Sequence, residues 1–86
     1  MRLWGKIMKD NRMLKDTTVT PAAADTRTHQ IFGCLEQICY DWDLEKPIWL
    51  ESNIQEFKRH NKTRFYRDSF IEEIPFDYLE IQVLED

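Results

Sequence analysis

The sequence predicts a small α+β domain, in which an antiparallel sheet made of an N-terminal hairpin and a C-terminal strand carries two helices on one face, in the order β-β-α-α-β. Three observations support this prediction. Apolar and polar residues alternate near both ends of the chain, over 3–8 and 76–84, as in strands with one buried face. An apolar stripe with helical spacing lies between them, over 31–42. The length of 86 residues and the hydrophobic content of 42% suit a single domain spanning residues 1–86, with a modest core.

The first predicted element is a β-hairpin. Its turn falls at Asp10 and Asn11, two residues that tolerate the positive φ angles of a tight type I′ turn. The return strand is expected over 12–19. Gly5 lies in the middle of the first strand, which indicates either a bulge or a close approach by another element.

The first helix is the strongest local signal in the chain. Asp25 is a suitable N-cap for a helix from Thr26 to about Trp42. Gly33 lowers the stability of this helix by about 1 kcal/mol relative to Ala, and it leaves room for a close packing contact. The residues that form the apolar stripe are Ile31, Leu35, Ile38, Cys39 and Trp42.

A shorter helix and a strand complete the prediction. Ser52 and Gln55 have the spacing of a capping box, which predicts a helix from there to about His60. The stretch 64–70 predicts no element, whereas 76–84 alternates as a terminal strand. We expect this last strand at an edge of the sheet, where its unpaired backbone groups offer a route to self-association.

The cysteines indicate a reducing compartment. Cys34 and Cys39 lie five residues apart in the predicted helix, which places their side chains about 140° apart around its axis. We therefore predict two buried, reduced thiols in a cytoplasmic protein. The sequence shows no apolar run of membrane-spanning length, so no membrane association is expected.

Several segments resemble an uncharacterised family of short bacterial proteins. The resemblance is carried by the hairpin residues 5–12 (GKIMKDNR), by 46–50 (KPIWL), by 52–54 (SNI) and by 56–60 (EFKRH). It extends over most of the chain and implies a bacterial, cytoplasmic origin. It implies no activity, ligand or catalytic residue.

The residue types that carry most site chemistry do not form a recognisable pattern. Zinc sites need about four well-spaced ligands, and the candidates His29, Cys34, Cys39 and His60 show none of the usual spacings. The chain contains neither a G-x-S-x-G nor a C-x-x-C motif, and its two glycines are isolated. We therefore expect a protein without enzymatic activity, metal or cofactor.

One segment suggests a binding function. Residues 58–67 contain five basic residues and no acidic one, although the whole chain carries a net charge of −4. Cations that neutralise phosphates, next to aromatic rings that stack on unpaired bases, are typical of nucleic-acid binding. In the alternative interpretation, the arginines pair with Glu72, Glu73 or Asp77 within the fold. The predicted nucleic-acid-binding residues are Lys58, Arg59, Lys62, Arg64, Phe65, Tyr66 and Arg67.

The competing function is that of a protein–protein adaptor. Trp4 lies opposite Leu3 and Ile7 on its strand, so we predict that it is exposed or covers an interface, such as that of a homodimer. An adaptor of this kind needs no contact with nucleic acid. We expect a small binding or accessory domain in either case.

Overall fold

The structure, a computed structural model, describes residues 1–22 and 26–85. The predicted N-cap Asp25 lies outside the described residues, and the hydroxyl of Thr26 caps the first helix by accepting from the His29 N–H at 3.3 Å. A single 3₁₀ turn (Arg67–Ser69) follows the third strand. The elements are β1 (Arg2–Lys9), β2 (Arg12–Val19), α1 (Arg27–Asp41), α2 (Glu51–His60), β3 (Lys62–Phe65) and β4 (Tyr78–Leu84).

The four strands form one antiparallel sheet in the order β2-β1-β4-β3. This confirms the predicted α+β class, with β3 as an additional strand in the segment for which no element was predicted. β3 has only four residues, in which buried Thr63 and Phe65 alternate with exposed Lys62 and Arg64. A period of two over so few residues is too short to distinguish a strand from a loop in the sequence.

The position of β4 differs from the prediction. It lies between β1 and β3, so the edges of the sheet are β2 and β3. Leu79, Glu80 and Ile81 are consecutive and all buried, because the helices cover Leu79 and Ile81 on one face while Lys6 and Arg64 of the neighbouring strands flank Glu80 on the other. The C-terminal strand therefore offers no free backbone edge for self-association.

The hairpin between β1 and β2 agrees with its prediction. Asp10 and Asn11 have φ angles of 53° and 63°, as a type I′ turn requires. The bulge lies between Ile7 and Met8. Gly5 instead marks a close approach, because a Cβ built there would lie 2.9 Å from Cδ1 of Ile38 on α1.

Both helices cover the same face of the sheet. Ile38 of α1 packs over Gly5, while Phe65 of β3 contacts Trp49, whose ring also packs against Phe57 of α2. The four most buried α1 residues of the predicted stripe are in the core, and Trp42 is partly buried beside them. The amphipathic pattern of α1 thus identified its buried face correctly.

The start of α2 differs from the predicted capping box. The helix begins at Glu51, with Leu50 as N-cap, so Ser52 lies inside its first turn. The Asn53 side chain accepts from the Leu50 N–H at 3.0 Å. It also donates to Thr63 Oγ1 at 2.9 Å and to the Arg64 carbonyl at 2.8 Å, which ties α2 to β3. These bonds of the Asn53 amide, rather than a Ser hydroxyl, determine where α2 begins.

Candidate functional site

The sheet face opposite the helices, here called the open face, is made of three rows of side chains. Residues that pair across an antiparallel ladder share a face, so the strand register fixes each row. The first row is Thr18, Trp4, Gln82 and Lys62; the second is Asp16, Lys6, Glu80 and Arg64; the third is Met13, Met8 and Tyr78.

The second row alternates in charge and is paired within the chain. Glu80 is only 4% exposed, and its carboxylate contacts Lys6 Nζ at 3.0 Å and Arg64 Nε at 2.7 Å. Burial by itself would raise the pKa of Glu80, but the hydrogen bonds from Arg64 and Lys6 outweigh it and hold that pKa below its ordinary value. This carboxylate is therefore ionised and neutralised by the two cations.

Aromatic rings flank the paired row. The Arg64 guanidinium lies 4.6 Å from the Tyr78 ring centroid, and Tyr78 lies 5.3 Å from the ring of Tyr66, which is about half exposed. On the other side, Lys6 Nζ is 4.4 Å from the Trp4 ring, and the Trp4 indole N–H donates to Asp16 at 2.9 Å. Trp4 is thus partly buried on the open face. Homodimer formation through Trp4 stays a prediction.

The structure separates the members of the predicted basic segment. Phe65 is fully buried, because its position in β3 points it toward the helices, and it is not available to stack on a base. Arg64 pairs with Glu80, rather than with the three acidic residues named in the alternative interpretation. Four cations of this segment are exposed and have no acidic partner within 4 Å in the described part of the chain; they are Lys58, Arg59, Lys62 and Arg67.

A second surface, here called the apolar groove, lies between the two helices. It has a volume of about 340 Å³, with Trp49 at its floor and Lys58 at its rim. Trp49 makes edge-to-face contacts with Phe32, Phe57 and Phe65, at centroid distances of 5.7, 5.4 and 5.1 Å. The other lining residues are Thr28 and Ile31 from α1 and Ile54 from α2.

The groove was not predicted from the sequence. Phe32 lies outside the predicted stripe of α1 and is 48% exposed, as its position implies. It nevertheless lines the groove, which the stripe alone did not indicate. Ile48, which precedes Trp49 in the sequence, is also 48% exposed. The sequence feature that could have indicated a groove is the apolar run 48–50 after Pro47. The neighbouring residues in the sequence do not show, however, that α1 leaves this run uncovered.

The two thiols have the environment that the sequence predicts. Cys34 and Cys39 are free and buried, and burial raises the pKa of Cys39 to about 11. Among residues 1–22 and 26–85, no group of three or more His, Cys, Asp or Glu side chains is arranged to hold a metal ion. In the same residues, neither helix is long and apolar enough to cross a membrane.

Comparisons with protein-family models, curated proteins and solved structures found no match for this chain.

Proposed function

We propose that this chain is a non-catalytic bacterial adaptor that binds a protein partner in the cytoplasm through the apolar groove. The observation that carries this proposal is the groove itself: two helices leave an aromatic floor uncovered, with Phe32 half exposed at its wall. Exposed apolar surface beside a pocket is a common feature of protein interaction sites. The free, buried cysteines support a reducing compartment.

The partner that fits this groove is an amphipathic helix with an acidic residue beside its apolar side chains. Amphipathic helices bind grooves of this kind through apolar residues spaced three or four apart. Lys58 lines the groove, is exposed, and has no acidic partner within 4 Å in the described part of the chain. It therefore provides a charge that a carboxylate on the partner helix would neutralise.

Selection from a displayed library of helical peptides tests this proposal. We expect the selected peptides to combine apolar residues at i and i+4 with Asp or Glu. Phe32→Ala should weaken their binding about tenfold or more, because it removes one aromatic wall of the groove. Tyr40→Ala is the matched control, since Tyr40 is on the same helix and is 81% exposed outside the groove. Failure to enrich peptides, or binding indifferent to Phe32→Ala, would contradict the proposal.

A second candidate function is the binding of single-stranded nucleic acid along β3. It is favoured by four exposed cations of the basic segment that have no acidic partner in the described part of the chain, Lys58, Arg59, Lys62 and Arg67, and by the half-exposed ring of Tyr66 in the same segment. Four phosphate contacts on a single strand give a slope of about −3 for log affinity against log salt. The aromatic ring would stack on an unpaired base.

Fluorescence anisotropy with a labelled single-stranded oligonucleotide, at low and at physiological salt, tests the second candidate. We expect wild-type binding to the oligonucleotide to weaken as the salt concentration rises. The double variant Arg59→Ala/Lys62→Ala should lose this salt-sensitive binding. Lys9→Ala/Arg12→Ala changes the charge equally at the hairpin and should have little effect. Equal losses in both variants would indicate an unspecific charge effect.

Homodimer formation through Trp4 is a separate proposal, supported by the partial exposure of this ring on the open face. Sedimentation at tens of micromolar should then show a species of twice the chain mass that Trp4→Ala abolishes. A single species of 10.5 kDa would contradict it.

A further inference from the structure

A third surface, here called the Trp42 pocket, lies where the hairpin, the C-terminal end of α1 and the segment 70–76 meet. Its volume is about 370 Å³, within the range of about 300–1,000 Å³ that is typical of ligand pockets. It shares no lining residue with the apolar groove, so a ligand can occupy either surface alone. Its apolar lining includes buried Ile7 and Phe70, partly buried Trp42, Ile74 and Phe76, and exposed Leu14.

Carboxylates without a cation surround this apolar lining. Asp43, Glu72 and Glu73 line the pocket, are exposed, and have no basic partner within 4 Å in the described part of the chain. Glu45 lines the pocket as well, and its carboxylate accepts from the Glu72 N–H at 2.7 Å, which joins the two sides of the rim. Free carboxylates beside apolar surface favour a ligand that is both cationic and apolar.

One cation of the chain already lies against the floor of the pocket. Lys15 Nζ is 5.2 Å from the centroid of the Trp42 ring, which is the distance of a cation–π contact. Among the described residues that line the pocket, Lys15 is the only basic one and four are acidic, so the lining keeps a net charge of −3. Lys15 is exposed and has no carboxylate within 4 Å in the same residues, so a ligand cation can displace it from the ring.

We propose that the Trp42 pocket binds a short segment of a partner protein in which arginines flank an apolar side chain. The apolar side chain packs against Leu14, and one guanidinium takes the place of Lys15 on the Trp42 ring. The other guanidinium pairs with Glu72 and Glu73. Arginine suits these groups better than lysine, because its planar guanidinium stacks on an aromatic ring and binds a carboxylate through two N–H groups. The proposal goes beyond the adaptor function of the groove, since it adds a second surface with the opposite charge preference.

Fluorescence anisotropy with a labelled peptide that carries arginines on both sides of a leucine tests this inference. We expect saturable binding with a Kd of about 100 μM or tighter. Glu72→Gln/Glu73→Gln should weaken it about tenfold or more, because the rim loses two charges. Glu51→Gln/Glu56→Gln removes two exposed carboxylates from α2, outside the pocket, and should change the Kd less than about twofold. Equal losses in the two variants would reveal a general attraction to an acidic chain and overturn the proposal.

The apolar part of the site has a matched pair of variants on β2. Leu14 and Met13 are adjacent and about equally exposed, at 55% and 51%, but only Leu14 lines the pocket. Leu14→Ala should weaken peptide binding about fivefold through lost apolar contact, and Met13→Ala should leave it unchanged. A peptide with serine in place of its leucine should lose affinity by a similar factor. Equal affinities in Leu14→Ala and Met13→Ala would overturn the placement of the ligand's apolar side chain.

Two further measurements test the place of the ligand cation and the identity of the occupant. Lys15→Gln should tighten peptide binding about threefold, because the competing ammonium is removed, whereas Lys62→Gln makes the same charge change on β3 and should have little effect. A Lys15→Gln protein that binds no tighter than Lys62→Gln would overturn the placement at Trp42. Sedimentation without peptide should be the same for wild type and Glu72→Gln/Glu73→Gln. An oligomer that this double variant dissociates would show that a second copy occupies the pocket, and would overturn the proposal of a different partner.

Discussion

Two glycines in this chain occupy opposite environments, although both lie inside regular elements. A methyl group at Gly5 would lie 2.9 Å from Cδ1 and 3.4 Å from Cγ2 of Ile38, which is fully buried in the core. Gly33 is exposed on α1 and has nothing within 4 Å of the same position. The sequence allowed a close packing contact at both glycines, but the structure has one at Gly5 and none at Gly33.

We expect alanine to have opposite effects at these two positions. Gly5→Ala should lower the free energy of unfolding by about 1–3 kcal/mol through overpacking. Gly33→Ala should raise it by about 0.5–1 kcal/mol through helix propensity. Urea denaturation of the two variants measures both. The double variant Gly5→Ala/Ile38→Val removes Cδ1 and should recover part of the loss; a Gly5→Ala protein as stable as wild type would contradict the packing argument.

At the scale of elements, the junction between α2 and β3 depends on one buried amide. Asn53→Ala should lower the free energy of unfolding by about 2–4 kcal/mol, because it leaves the partners of three hydrogen bonds, one buried and two partly buried, without the Asn53 amide. Ser52→Ala should change it by less than about 0.5 kcal/mol, since Ser52 is exposed and caps nothing. Thermal unfolding of the two variants checks this order. If Ser52→Ala lowered the free energy of unfolding more than Asn53→Ala does, the capping box predicted from the sequence would be supported instead.

The elements predicted correctly are those whose pattern is long and local. The stripe of α1 and the turn at Asp10 and Asn11 depend on neighbours in sequence, and both are as predicted. The strand β3 and the start of α2 were missed or misplaced because they depend on each other through Asn53, ten residues from Thr63. The central place of β4 likewise depends on pairing with distant β1. The same limit applies to both candidate sites, since each combines segments that are separated in sequence.

The open face of the sheet predicts a dependence of stability on pH. Glu80 has a pKa below its ordinary value, so the stability that its ionised form provides is complete above about pH 4.5 and is lost as the pH falls through the lower native pKa. Glu80→Gln should lower the free energy of unfolding at pH 7 by about 1–3 kcal/mol. The difference from wild type should shrink steadily below about pH 4.5. Urea unfolding between neutral and acid pH measures it, and a difference that stays constant would show that Glu80 is not the titrating group.

At the scale of the whole molecule, one core joins both helices to the sheet, so a deeply buried group should react only when the whole fold opens. Cys39 is 1% exposed, and its pKa of about 11 leaves on the order of one thiol in 1,000 ionised at pH 8. Cys34 is also buried, but it lines a surface cavity next to Gly33 and near the C-terminal end of β2. The two thiols therefore report on different openings of the same domain.

Alkylation rates of single-cysteine variants test whether the core opens as a unit. In Cys34→Ala, the labelling of Cys39 should follow global unfolding, so about 1 M urea should accelerate it roughly five- to tenfold, given the m-value of about 1 kcal/mol/M for a small domain. In Cys39→Ala, the labelling of Cys34 should be faster in water and less sensitive to urea, because local movement at the cavity suffices. Labelling of Cys39 that is independent of urea would mean that α1 separates from the sheet while the rest of the fold stays intact.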